Sequence, residues 1–315
     1  MQVRPTRILF IRFSSIGDII LTAPAILSLR NALVGPLEIH YLTRDSMRPA
    51  VQGLGSLVDN IHTIQTSTTE VTDTLKALEF DYLIDLQSNV RSRWVKRSLN
   101  VLSFTVDKQN IAKWLLVHGW RKQPVRHIVE RYIETFAQAF GSKVPEEWPL
   151  LFSGAVHPLP EHSKYVAIAL SATHQGKRLT VEILNAIIQL ESTNRSIILI
   201  GGQEDIALGN ELERRHASVK SLAGRTSLFE SAAIIRDAER LYTGDTGMMH
   251  IAAAVGTAIT SFWGCTRPIL GMDPWRPNPQ SRIISPDKQL GSRPCSKLGN
   301  KACRHQPSCM AQNSL

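Results

Sequence analysis

A chain of 315 residues that is 43% hydrophobic and 20% charged has the balance of a soluble globular protein, which excludes a disordered or fibrous chain. Its 36 basic against 27 acidic residues leave a formal charge of +9, so anionic partners are expected: nucleotides, phosphorylated glycans, acidic lipid surfaces or nucleic acid. The length exceeds what one hydrophobic core usually serves and predicts two domains, while apolar runs such as Ile19–Leu21 and Val166–Leu170 fall far short of the ~20 residues that span a bilayer.

From the N-terminus, Met1 to Arg7 lead straight into Ile8–Ile11, too short an apolar core for a signal peptide, and the chain is expected to be cytoplasmic. Arg7–Phe13 is an apolar run with charged ends, as expected of a strand buried in a parallel sheet. A polar loop, Ser14 to Asp18, follows, and Ile19, Ala23, Ile26, Leu29 and Leu33 then recur at helical spacing, with Pro24 predicting a kink or a late helix start. Asp18 thus stands near a helix start, at the carboxyl end of the first strand, where open parallel sheets bind ligands. A carboxylate there can act as a base, although the residue pattern alone favours the simpler reading, in which Asp18 does no more than favour the helix dipole. Strands are predicted at Leu37–Thr43, Val58–Ile64, Asp81–Gln87 and Val101–Val106, with a helix around Thr69–Leu78.

The strand at Asp81–Gln87 runs into Ser88–Arg93, whose Asn89, Arg91 and Arg93 can hold an anionic second substrate, since arginine grips carboxylate or phosphate with two hydrogen bonds. A solvated helix start is the alternative. His127–Phe140 reads as an amphipathic helix capped by Gly141, and the proline-rich stretch from Val144 to Pro160 reads as a linker. Domains are therefore predicted at 1–155 and 156–315.

The pattern restarts with the strand Tyr165–Leu170 and the loop Ser171–Thr180, before a helix at Val181–Leu190. The loop lacks the glycine and the hydroxyl residue of a P-loop, at the positions of Ser171 and Arg178. Lys177 and Arg178 nevertheless stand where a diphosphate can meet them, and Thr173 offers a hydroxyl. Ser196–Gly202 is the next strand and turn; Glu204 and Asp205 follow it, at a position where carboxylates often bind ribose hydroxyls. No strand-helix turn carries the dinucleotide fingerprint G-x-G-x-x-G, which counts against a nicotinamide or flavin enzyme. Further on come a helix at Ser227–Ala238 and a strand at Thr257–Trp263.

Between them, Leu241–Val255 reads as a strand end, a glycine-rich turn and a helix. Thr246 sits at the N-cap position, Gly244 and Gly247 let a ligand approach the backbone, and Gly256 closes the helix. Free amides and the positive end of the dipole make such a start a seat for phosphate, to which His250, one turn on, can add a donor. Asp245 could instead only bridge turn amides, and a lone helical histidine is usually structural. Cys295, Cys303 and Cys309 lie in the tail at gaps unlike the close pairs of zinc sites; His305 could complete a metal set with them, but reduced thiols are the expectation.

Four stretches, Arg12–Pro24, Asp81–Ser92, Lys177–Arg178 and Gly244–Ala253, together resemble the heptosyltransferase family, glycosyltransferase family nine, and occur in its order. The resemblance implies an α/β fold of two Rossmann-like domains facing across a cleft, the GT-B arrangement, with acceptor on the first and nucleotide-activated sugar on the second. It further implies an inverting, metal-independent transfer with Asp18 as base, and a nucleoside-diphosphate sugar, ADP-heptose-like, as donor substrate rather than a cofactor. Thr173, Lys177, Asp245, Thr246, Gly247 and His250 would surround the diphosphate, Glu204 would meet the ribose, and Ser14, Ser15, Asn89, Arg91 and Arg93 would hold the acceptor. That acceptor would be an anionic glycan or glycolipid, met by peripheral association with an anionic membrane. No nucleic-acid partner is expected, because aromatics are only 6% and no RNP-like motif is present. Rival readings are an epimerase or hydrolase of nucleotide sugars, which needs no acceptor, and a nucleotide- or nucleic-acid-binding protein without catalysis, in which Asp18 would be dispensable.

Overall fold

The computed structural model describes residues 4–159, 164–286, 294–301, 303 and 308–313. The chain divides into two compact units, Met1–Lys108 with Ile128–Ser153 and Gln109–His127 with Gly154–Leu315.

The first unit is built on β1 (Thr6–Ile11), β2 (Leu37–Arg44), β3 (Asn60–Ile64), β4 (Tyr82–Asp85) and β5 (Leu102–Thr105), all parallel, in the order β3-β2-β1-β4-β5. Ile8 to Ile11 are fully buried because a central parallel strand is covered on both faces; Leu9 and Ile11 pack with Leu42, Leu83 and Val95. From β1 the chain steps outward to β2 and β3, then returns to β4 on the other side of β1. The order reverses at this point, so the connections leaving β1 and β4 diverge and leave a crevice at their carboxyl ends, the usual ligand seat of such sheets. The helical spacing after β1 resolves into two helices, Ile16–Ile20 and Ala23–Ala32; Pro24 stands in the first turn of the second, where its missing N–H has no partner to lose.

The second unit repeats this plan with β6 (Tyr165–Ala169), β7 (Ser196–Ile200), β8 (Val219–Ser221), β9 (Arg240–Thr243), β10 (Ala258–Phe262) and β11 (Arg282–Ile284), in the parallel order β11-β10-β9-β6-β7-β8. Here the order reverses between β6 and β9, which places the loop with Lys177 and the turn at Gly244 side by side. Two short edge strands, β8 and β11, were not legible in the sequence. Nor was the helix Asn110–His118, which groups with the second unit although the sequence places it ahead of the linker: Leu116 and Val125 bury against Leu270, and the Val125 N–H donates to the Ile269 carbonyl at 3.0 Å. Among the described residues no helix is long and apolar enough to cross a membrane.

Two histidines make the first unit sensitive to acid. On β2 and β3, the His40 and His62 rings stack at 5.2 Å and share a 2.9 Å hydrogen bond, with Glu38 at 3.3 Å from His40. Burial, then the proximity of His40 and Arg48, pushes His62 down to about 4; burial also lowers His40 in spite of Glu38. Between the ordinary histidine value of about 6.5 and 4 the unfolded chain therefore binds more protons than the folded one, so stability falls as pH falls through this window and is unaffected by these groups above it. Melting curves from pH 7.5 to 4.5 should show that loss, and His62→Asn should flatten it; an equally steep profile in the variant would assign the loss to other groups.

Candidate active site

The first cluster lies at the carboxyl ends of β1 and β4. Arg12 extends β1, and its buried guanidinium ties three segments together: Nη1 donates to the Leu86 carbonyl at 2.8 Å, Nε to the Ser14 carbonyl at 2.7 Å, and Nη2 pairs with Asp18 Oδ1 at 2.8 Å. Burial works against the charged form of Arg12, but the Asp18 carboxylate and the Tyr132 and Tyr41 hydroxyls outweigh it, and the net shift is upward. The other carboxylate oxygen of Asp18 accepts from the Ser15 N–H at 3.2 Å and the Ser15 hydroxyl at 3.0 Å. Asp18 therefore serves the helix start, as the modest reading expected, and is also gripped by a cation whose role the sequence did not disclose. Its side chain remains 20% exposed.

On the β4 side, the fully buried Asp85 accepts from the Gln87 and Ser88 N–H groups at 3.0 and 2.7 Å and from the Ser92 hydroxyl at 2.8 Å, which shapes the turn into the helix Val90–Leu99. Asn89 caps that helix, its side-chain oxygen accepting from the Ser92 N–H at 3.0 Å. Arg91 lines a cavity of about 480 Å³ with Arg44, Asp45, Ser46, Ile64, Gln65 and Thr66, at the carboxyl ends of β2 and β3. Arg93 is exposed on the same helix and does not line that cavity. Arg44, the basic residue that ends β2, joins Arg91 in lining this cavity and is not among the residues that the sequence singles out.

The second cluster lies where β6 and β9 are neighbours. Lys177, in a short turn after β6, places Nζ 2.7 Å from Asp245 Oδ2, with side chains 19% and 8% exposed. Asp245 thus holds the lysine. Thr246 occupies the N-cap position of the helix Gly247–Ala254, but its side chain does not cap: the hydroxyl bonds the Thr243 hydroxyl at 2.9 Å, so the expectation of a capping threonine is met in position only. The helix start is partly open to solvent at Thr246, Gly247 and Met248, whereas His250 is 2% exposed.

Close packing sets this geometry. A Cβ at Gly244 would lie 2.0 Å from the Lys177 carbonyl oxygen, so only glycine lets the two loops touch. Gly244→Ala should force them apart, lowering the melting temperature by several degrees and weakening nucleoside-diphosphate binding together; scanning calorimetry and titration calorimetry on one preparation check both.

Around this pair, Thr173 is exposed in the same loop. Arg178 lies 3.7 Å from Glu204 and 3.5 Å from Asp205. Asp205 is buried and accepts from the Gly202 N–H at 2.9 Å and the Ser171 hydroxyl, so it shapes the β7 turn, while Glu204 is left at the surface. The Cys265 thiol donates to the Gly176 carbonyl at 3.3 Å, and the Cys265 carbonyl accepts from the Cys295 and Ser296 N–H groups, which ties these two residues to the Lys177 turn. Burial raises Cys265, and burial with the adjoining Cys303 pushes Cys309 up to about 12, so both are protonated thiols at neutral pH. His305 lies outside the described residues, and among those described no group of three or more His, Cys, Asp or Glu is placed to hold a metal. Arg267, beyond β10, is 5% exposed, with Nε and Nη1 lacking a partner among the described residues. Its burial is not legible in the sequence.

Two parallel sheets, each with its polar cluster at the point where strand order reverses, define an α/β protein of the GT-B class, as the resemblance implied. The chain belongs to glycosyltransferase family 9 (heptosyltransferase), whose family profile matches residues 68–301. Lipopolysaccharide heptosyltransferase 2 of Salmonella typhimurium is 29% identical over 85 residues, a match spanning 25% of this chain and only 24% of that protein. Lipopolysaccharide heptosyltransferase 1 of Pseudomonas aeruginosa is 24% identical over 331 residues, covering 96% of this chain and 88% of the relative. Among solved structures, the Escherichia coli heptosyltransferase WaaC with ADP superposes with a TM-score of 0.68 at 20% identity, over 92% of this chain and 96% of that one; WaaC is also known with ADP-2-deoxy-2-fluoro heptose.

Proposed function

We propose that this chain moves a heptose or heptose-like sugar from a nucleoside diphosphate to a hydroxyl of an anionic glycan or glycolipid acceptor in cell-envelope synthesis. The first unit takes the acceptor and the second the donor. The observation that carries this reading is the Asp18 carboxylate, fixed by Arg12 and Ser15 yet still reachable, at the switch point of a family 9 chain. A sugar hydroxyl is a weak nucleophile, and a positioned carboxylate can take its proton as the oxygen attacks the anomeric carbon. One such displacement inverts that centre.

The departing nucleoside diphosphate gathers negative charge. Lys177 and the open amides at the start of Gly247–Ala254 supply donors for it without calling on a metal ion, with Thr173, Thr246 and His250 bordering the seat. Asp245 has a positioning role here, because a carboxylate would repel the diphosphate unless its charge were already committed to Lys177. Glu204 stands after β7, where a ribose carboxylate belongs in this topology. Ser14, Ser15, Asn89, Arg91 and Arg93 form the acceptor side, with Arg44 added by the 480 Å³ cavity. An acceptor anchored in lipid brings the protein to an anionic membrane surface, without insertion.

A thermal-shift screen of nucleoside-diphosphate sugars tests the donor half: a ligand bound only by the folded state raises the melting temperature with concentration. ADP-heptose is expected to stabilise the protein more than ADP alone; stabilisation by neither would remove the donor assignment.

A further inference from the structure

The helix Asn110–His118 turns two different faces outward and inward. Ala112 and Leu116, one turn apart, pack with Val125, Ile269 and Leu270. The opposite face, at positions 111, 114 and 118, carries Ile111, Trp114 and His118, where a soluble surface helix usually carries polar groups. Ile111 is 77% exposed, Trp114 47% and Trp120 71%.

These side chains are held as a patch. Gly119, at φ +79°, ends the helix in a left-handed turn, and the Trp120 N–H then donates back to the Leu115 carbonyl at 2.9 Å. That turn folds the Trp120 ring edge-on to Trp114 at 5.0 Å, while Trp114 and His118 lie 4.2 Å apart. The chain continues through Arg121, Lys122 and Arg126, and no Asp or Glu occurs anywhere from Gln109 to His127. Exposed indoles fixed beside a run of basic residues suit one kind of surface: tryptophan favours the boundary between headgroups and acyl chains, and lysine and arginine are drawn to anionic lipid.

We propose that this surface docks the protein on an anionic phospholipid bilayer, with Ile111, Trp114 and Trp120 seated at the headgroup level and Arg121, Lys122 and Arg126 on the phosphates. The proposal names the membrane contact of the glycolipid-acceptor reading above and rests on it.

The test uses the full chain and vesicles of phosphatidylcholine with or without phosphatidylglycerol. The wild type should bind the phosphatidylglycerol vesicles, release in high salt, and lose tryptophan emission to lipids brominated along the acyl chain. Trp114→Ala with Trp120→Ala should weaken that binding at least ~10-fold, about 1.4 kcal/mol, at an unchanged melting temperature. Should that variant unfold, Ile111→Ser, at a more exposed position, should weaken binding in the same direction. Arg121→Glu with Lys122→Glu should abolish the preference for anionic vesicles. Undiminished binding by the aromatic variants, or no quenching in the wild type, would overturn the proposal; so would a concentration-dependent dimer lost on removing the tryptophans, which would make a second copy the occupant. Transfer to a delipidated, water-soluble acceptor separates the two readings: docking without transfer defeats the functional assignment alone, and transfer without docking defeats this proposal alone.

Discussion

Asp18→Asn should slow sugar transfer by ~10²-fold or more while leaving donor affinity within about twofold, because the amide keeps the shape of the carboxylate but cannot accept the nucleophile's proton. The structure adds a second effect that helix-start chemistry alone does not predict. In the wild type one carboxylate oxygen meets Arg12 and the other meets two donors from Ser15. An asparagine has only one acceptor oxygen, so either the guanidinium or the Ser15 donors lose their partner, and stability should fall on the order of 1–3 kcal/mol rather than the few tenths typical of exchanging caps. Single-turnover transfer, donor titration and melting curves on both proteins separate these effects. A variant that is destabilised yet transfers at the normal rate would leave Asp18 a structural residue only.

Lys177→Ala should weaken nucleoside-diphosphate binding about 10- to 100-fold, the range expected when a charged hydrogen-bond donor is removed. Two consequences of the 2.7 Å pair with Asp245 act together: a cation is lost, and an 8%-exposed carboxylate is left uncompensated beside the seat. The second can be removed separately. Lys177→Ala with Asp245→Asn should bind more tightly than Lys177→Ala alone, because the repelling charge is gone. Calorimetry with ADP across the four-member cycle measures the coupling. If the double variant binds no better than the single one, Asp245 does not face the ligand.

The sequence disclosed what is local and little of what is distant. Arg7–Phe13 reads as a buried strand from the apolar run Ile8–Ile11, and Asp18 can be placed at a helix start beyond that strand because a strand, a polar loop and a helix fix its position without further contacts. The turn at Gly244–Gly247 was legible for the same reason. Arg12 was not, since its partners include the Leu86 carbonyl, 74 residues away. The grip of Asp245 on Lys177 likewise joins loops that only the β6–β9 adjacency brings together, and no spacing rule encodes it. The segment 109–127 escaped because the prolines of 144–160 are a stronger boundary signal than the few apolar contacts through which Val125 and Leu116 reach Leu270. β8 and β11 are three residues each, too short for periodicity to show.

The most direct measurement of the central claim is the release of ADP from ADP-heptose by the purified chain, with and without an anionic core-glycan acceptor, followed with the anomeric configuration of the product by NMR. The proposed transfer predicts ADP release only when acceptor is present, in step with one glycoside of inverted configuration. Equal release without acceptor, an isomerised sugar still attached to the nucleotide, or a product of retained configuration would contradict it.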